Sequence, residues 1–223
     1  MNKTASAITR EQSLLATHTV LRNTYLLLSF TLIFSAIAAW FAMTTNARPM
    51  GMIPSLVGMF CLLFLTKALK NSAWGILSVF AFTGFMGYMI GPVLNMVMHS
   101  YSNGGQIITS ALASTGAAFL GLSAYALVSK KSFSGLGKFA FVGLWVVIVA
   151  SILNIWLKMP ALYLMISFAG AFIASALILF DTARIINGGE LNYLMSTISL
   201  YLDLYMLFMY LLNIFTSFSG RNN

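Results

Sequence analysis

Seven long apolar stretches, separated by short polar connections, dominate the pattern of this chain. They lie at about residues 24–43, 51–69, 74–98, 105–128, 137–157, 160–186 and 191–218. An α-helix rises about 1.5 Å per residue, so it needs about 20 apolar residues to cross the hydrocarbon core of a bilayer. Every stretch approaches or exceeds that length. We therefore predict an all-α membrane protein, a bundle of seven transmembrane helices.

The polar segments outside these stretches are short. They predict an N-terminal tail over residues 1–23, the seven-helix bundle over 24–218 and a short C-terminal tail over 219–223. Gly91 and Pro92 fall inside the third stretch. Proline removes one backbone donor and clashes with the preceding turn, so we predict a helix kink at these two residues.

Composition supports a membrane protein. Of the 223 residues, 60% are hydrophobic and only 7% are charged, whereas soluble domains are about 25% charged. The formal net charge of +8 could suggest a nucleic-acid partner. However, the basic residues are scattered between apolar runs instead of gathering on one polar domain, so we expect the partner to be the lipid bilayer and no nucleic acid.

The basic residues also predict an orientation. With a cytoplasmic N-terminus, nine of them fall on the inner side and three on the outer side, which matches the positive-inside rule. Seven crossings then place the C-terminus outside. The inner residues are Lys3, Arg10, Arg22, Lys67, Lys70, Lys130, Lys131, Lys138 and Arg184, and the outer residues are Arg48, Lys158 and Arg221.

Small residues predict where helices pack closely, because they let backbones approach in lipid. Gly87 and Gly91 lie four residues apart in the third stretch. The fourth stretch is dense in candidates for a contact face: Ser110, Ala113, Ser114, Gly116, Ala117 and Gly121.

The single cysteine, Cys61, lies in an apolar run and is expected to be a small buried hydrophobe.

Two of the four acidic residues lie where a membrane helix should not carry them. Asp181 and Asp203 are embedded in the last two apolar stretches, and an aspartate at the centre of such a helix costs about 2.5–3.5 kcal/mol on the insertion scale. Such groups usually face the bundle interior and mark ion or proton paths. Asp181 has an alternative explanation, an intrahelical pair with Arg184 three residues on. Asp203 has no basic neighbour within two turns.

If the two carboxyl groups meet, they would share a proton, since two carboxylates cannot both ionise cheaply in a low-dielectric interior. When both are ionised, they would attract a divalent cation through hard oxygen ligands, and calcium suits that chemistry. One difficulty is geometric. Counted from the turn at Gly188 and Gly189, the two residues would differ in depth by roughly 10 Å in an ideal hairpin.

The motifs of common enzymes and cofactor sites are missing. The sequence offers no Ser/His/Asp or Cys/His arrangement, no glycine-rich phosphate loop and no His/Glu metalloprotease spacing. It also lacks the Gly-x-Gly-Asp setting of intramembrane aspartyl proteases. We expect no enzymatic activity and no cofactor, with calcium as the one ion that could be bound or transported.

Several segments resemble the transmembrane Bax inhibitor motif family. They are FDTARIINGGELNY (residues 180–193), SLYLDLY (199–205), FTGF (82–85) and GPVLN (91–95). The run around VLRNTY (20–25) is similar to the family's bacterial inner-membrane branch, the modulators of the FtsH protease. The resemblance covers essentially the whole chain and implies a location in the bacterial inner membrane. It also implies a pH-sensitive calcium leak gated by an aspartate pair, which matches Asp181 and Asp203, with Lys67 as a candidate charge partner in the second helix.

Two hypotheses follow. In the first, the bundle conducts or senses ions, and Asp181 and Asp203 are its proton- and calcium-responsive pair. In the second, the protein conducts nothing and regulates a membrane-bound protease of the FtsH type, which could engage the polar tail (residues 1–23).

Overall fold

The fold is an antiparallel bundle of seven helices. The computed structural model describes residues 2–129 and 131–220, and the side chains of 18–129 and 131–220. All seven helices are long and apolar enough to cross a membrane, which confirms the predicted all-α, seven-helix architecture. They are α1 (Asn2–Thr44), α2 (Met52–Leu69), α3 (Trp74–Ser100), α4 (Gly104–Ser129), α5 (Ser134–Leu157), α6 (Pro160–Ile186) and α7 (Tyr193–Ser219).

The first helix extends through the boundary that we predicted at residue 23. Among the residues whose side chains are described, His18–Thr44 of this helix is apolar enough to cross a membrane, and residues 2–17 continue the same helix toward the N-terminus. The side chains of Lys3 and Arg10, together with Lys130 and Arg221, lie outside the described residues. Among the remaining basic residues, the alternation of helix directions puts Arg22, Lys70 and Arg184 at one end of the bundle. Which end faces the cytoplasm stays a prediction.

Helix α7 lies at the centre of the bundle. It packs against α1, α3, α4 and α6, and Leu200, Tyr201, Leu204 and Leu207 from it belong to the main buried cluster. By contrast, α2 packs chiefly against α3, so most of its surface faces outward. The expectation that Cys61 is buried was therefore wrong, because Cys61 lies on this peripheral helix and is exposed.

Helices α1 and α3 pack closely through the predicted glycines. A Cβ atom at Gly87 would overlap the carbonyl oxygen of Ser35, and one at Gly91 would lie 2.8 Å from the carbonyl oxygen of Ala39. The glycine pair therefore forms a helix–helix contact face, as predicted. Helix α3 continues without interruption through Gly91 and Pro92, and a kink there stays a prediction.

The predicted contact face of α4 was wrong. Its buried residues form a different stripe, which includes Ile107, Ala111 and Thr115. At Gly116 and Gly121 an added Cβ atom would have no neighbour within 4 Å. The physical reason is that small residues permit close packing but do not select the partner, and here an open crevice separates α4 from α1.

The glycine packing gives a test of the fold. Gly87→Val should destabilise the protein by about 1–3 kcal/mol, because the branched side chain would overlap Ser35 of α1. The matched control is Gly121→Val, which makes the same change on a helix where a Cβ has open space. Thermal unfolding in detergent would measure both. Equal stability of the two variants would contradict the described α1–α3 interface.

Candidate ion-responsive site

Asp203 lies in the interior of the bundle. It belongs to the central helix α7 and is only 4% exposed. The residues on either side of it in sequence are leucines, Leu202 and Leu204, so the helix offers no local basic partner. A carboxyl group in this position has lost its water and must find its partners on other helices.

The second aspartate, Asp181, is a polar partner of Asp203. The carboxyl groups of Asp181 and Asp203 lie within hydrogen-bonding distance of each other. The side chain of Asp181 is 14% exposed, so it lies between the buried residue and the end of the bundle. Ionised carboxylates only accept hydrogen bonds, and a direct bond between two of them therefore requires one proton. The arrangement can hold a proton, or two negative charges that repel each other.

Asp181 and Asp203 are in contact although the sequence predicted that their depths in the bundle differ by roughly 10 Å. Helix α6 ends at Ile186, but α7 does not begin until Tyr193. Counted from these helix ends, the depths of the two aspartates differ by roughly 7 Å of helical rise, less than the difference counted from the glycines. The connection at 187–192 and the lengths of the two side chains bridge the remaining difference in depth.

Arg184 has a closer partner than Asp181. Its Nη2 atom donates a hydrogen bond to Oε2 of Glu190 at 3.0 Å, whereas its Nη1 atom lies 3.9 Å from Oδ1 of Asp181. The predicted intrahelical pair is therefore present as a long ion pair. Because the Arg184 side chain is 41% exposed, water screens this interaction. Asp181 stands between a screened cation and the buried Asp203.

Lys67 does not reach the aspartates. It lies exposed in the last turn of α2 and makes no ion pair with Asp181 or Asp203. Within the described residues, His, Cys, Asp and Glu side chains nowhere gather in groups of three or more. The pair thus offers two carboxyl groups toward the six to eight oxygen ligands that calcium takes. Two carboxyl groups alone do not complete the coordination of a calcium ion.

Four polar atoms in the interior lack a hydrogen-bond partner among the described residues. They are Thr24 Oγ1, Tyr25 Oη, Ser196 Oγ and Asp203 Oδ2. The hydroxyl of Thr197 donates to the carbonyl oxygen of Thr24 at 3.4 Å, which places Thr24 level with the first turns of α7. Buried polar atoms normally have partners, which include ordered water. Thr24, Tyr25 and Ser196 lie toward the end of the bundle at which α7 begins, so the interior of the bundle carries unpaired oxygens there as well as at Asp203.

The turn before α7 is held by a residue that our sequence reasoning did not single out. Oδ1 of Asn192 accepts hydrogen bonds from the backbone N–H groups of Leu194 and Met195, both at 3.1 Å. Its Nδ2 donates to the carbonyl oxygen of Lys70 at 3.0 Å. The signal was available, since asparagine is a preferred residue at a helix N-cap. Asn192 fixes where α7 begins and ties that end to the α2–α3 connection.

Comparison with known proteins identifies relatives over the full chain. The family described as "Inhibitor of apoptosis-promoting Bax1" matches residues 17–220. A protein named "Modulator of FtsH protease YccA" from Escherichia coli (strain K12) is 45% identical over 222 residues, which cover 100% of both chains. A counterpart in E. coli O6:H1 with the same identity and coverage is named "Inner membrane protein YccA". "Uncharacterized protein PA2604" from Pseudomonas aeruginosa is 46% identical over 88% of each chain.

The two roles of Asn192 can be separated by substitution. Asn192→Ala should cost about 1 kcal/mol for the lost cap, with a further loss from the bond to Lys70. Asn192→Asp keeps the accepting oxygen but removes the donor, so its stability should fall between those of the wild type and the alanine variant. Thermal unfolding in detergent would measure this order. If Asn192→Asp were as unstable as Asn192→Ala, the cap would not be what holds the start of α7.

Proposed function

The chain belongs to the family of inhibitors of apoptosis-promoting Bax1, and from this membership and the buried aspartate pair we propose that it is a pH-sensitive calcium leak channel. It is a protein of the bacterial inner membrane with seven membrane-spanning helices. We propose no enzymatic role. Calcium is the transported ion in this proposal, and Asp181 and Asp203 are the groups that respond to protons.

The observation that carries the proposal is the contact between Asp181 and Asp203 inside an otherwise apolar bundle. With one proton on the pair, a hydrogen bond joins α6 to the central helix α7. Without that proton, two like charges face each other at short range, where the low dielectric strengthens their repulsion. A change in pH therefore changes the force between these two helices.

Unpaired oxygens in the interior, toward the end of the bundle at which α7 begins, support an ion path. The unpartnered oxygens of Thr24, Tyr25 and Ser196 can hydrogen-bond to water, and water can complete the coordination of a cation that the two carboxylates attract.

Calcium flux into liposomes tests this proposal. Reconstituted wild-type protein should carry calcium at a rate that depends on pH, and Asp203→Asn should abolish most of that dependence, because the amide cannot exchange a proton with Asp181. The matched control is Glu190→Gln, an equally conservative change at an acidic residue that pairs with Arg184 in the connection before α7. It should leave the pH dependence in place.

Two results would contradict the proposal. One is a wild-type flux no greater than that of protein-free liposomes at every pH. The other is an Asp203→Asn variant whose flux follows the wild-type pH curve.

A second candidate function is regulation of a membrane-bound protease without conduction. It is favoured by the relative named as a modulator of the FtsH protease, which aligns with the whole chain. Helix α1 supports it structurally, because the helix also includes residues 2–17, which form an extension in the polar segment before the apolar stretch at 24–43. That extension is long enough to be engaged by another protein.

Replacing residues 2–17 with a Gly/Ser segment of equal length tests the second function and leaves the span intact. If the extension recruits FtsH, co-purification of FtsH from membranes should be lost while calcium flux in liposomes stays unchanged. Unchanged co-purification would contradict a role for the extension. If calcium flux were lost while FtsH still co-purified, residues 2–17 would be needed for conduction and not for FtsH binding.

A further inference from the structure

A lateral cavity of about 570 Å³ opens between α1 and α4. Its floor is the central helix α7, through Tyr201, Leu204, Tyr205 and Phe208, with Ile90 and Leu94 of α3 alongside. Its volume falls in the range of ligand pockets, about 300–1,000 Å³. The cavity exists because α4 presents Gly116 toward α1, where an added Cβ would meet nothing within 4 Å.

The cavity has the length of one membrane leaflet. Its wall on α1 runs from Leu32 to Met43, and its wall on α4 runs from Gly105 to Phe119. These intervals correspond to roughly 16–21 Å of helical rise, and half of a hydrocarbon core is about 15 Å thick. The cavity occupies the half of the bundle at the ends of α1 and α3, away from Arg22 and Arg184.

The lining offers little to hold water. The hydroxyl of Ser35 pairs with that of Tyr201 at 2.7 Å, and Tyr201 also donates to the carbonyl oxygen of Thr83. The hydroxyls of Thr109 and Thr115 donate to carbonyl oxygens of their own helix. Because most of the lining is apolar and these four hydroxyls are already paired, the cavity favours an apolar ligand.

We propose that this cavity binds one acyl chain of a phospholipid from the leaflet at that end of the bundle. The cavity lies between membrane-spanning segments and opens sideways, so hydrocarbon chains are what surrounds its mouth. Arg48 lies exposed just beyond α1 at the same end, without an ion pair among the described residues. Its positive charge complements the phosphate of a lipid whose chain enters the cavity.

The bound chain would also support the central helix. Leu204 and Tyr205 on the cavity floor directly follow Asp203 in the sequence. A chain packed against them fixes the position of this turn of α7. The proposal concerns lipid binding alone and stands whether or not the protein conducts calcium.

Native mass spectrometry of the full chain, purified from bacterial membranes in mild detergent, tests the proposal. Wild-type protein should retain one tightly held phospholipid that Gly116→Leu lacks, because the leucine side chain fills the cavity. The matched control is Gly121→Leu on the same helix. It makes the same change at another open position that does not line the cavity, and it should retain the lipid.

A second cavity-filling variant, on a different helix, tests whether loss of the lipid follows from filling the cavity and not from misfolding of one variant. Ala36→Leu fills the cavity from the α1 side and should lose the same lipid. If both filling variants fail to fold, spin-labelled phospholipid with wild-type protein in nanodiscs should show about one immobilised chain per protein. Equal lipid retention by Gly116→Leu, Ala36→Leu and Gly121→Leu would overturn the proposal. So would retention of detergent only, or the absence of an immobilised chain.

Discussion

The contact between Asp181 and Asp203 constrains how the helices of the bundle pack. Two carboxyl groups in a membrane-spanning interior lack the water that would stabilise their charges. The protein buries Asp203 on the central helix α7, and α6 brings the second carboxyl group to it. In the proposed function, this pair is the group through which the bundle responds to protons.

The rest of the packing positions this pair. The bond network of Asn192 determines where α7 starts, and hence how deep Asp203 lies relative to Asp181. Arg184 binds Glu190 more closely than Asp181, so the cation nearest to the pair is occupied elsewhere. Helix α1 packs closely against α3 through Gly87 and Gly91 but stands apart from α4, and the lateral cavity lies between α1 and α4 with α7 as its floor.

The seven helices were predictable because each must be apolar for about 20 residues, and each such stretch is a continuous segment of the sequence. The interior position of Asp203 was also predictable, since a charged group without a local partner must avoid lipid. What the sequence could not show was pairing across helices. The depth count from Gly188 and Gly189 opposed the contact, because the late start of α7 at Tyr193 depends on Asn192 and on its bond to Lys70. The contact face of α4 was predicted wrongly for a related reason, since the size of a residue does not indicate which face of its helix a neighbouring helix covers.

Infrared difference spectroscopy of the full chain in lipid tests the central claim most directly, because the carbonyl stretch of a protonated carboxyl group is distinct from that of a carboxylate. If Asp181 and Asp203 share a proton, spectra recorded across a pH titration should contain one protonated carboxyl band in the wild type. Both Asp181→Asn and Asp203→Asn should remove or shift that same band. A band that survives unchanged in either variant would show that the two groups titrate independently, and would contradict the account.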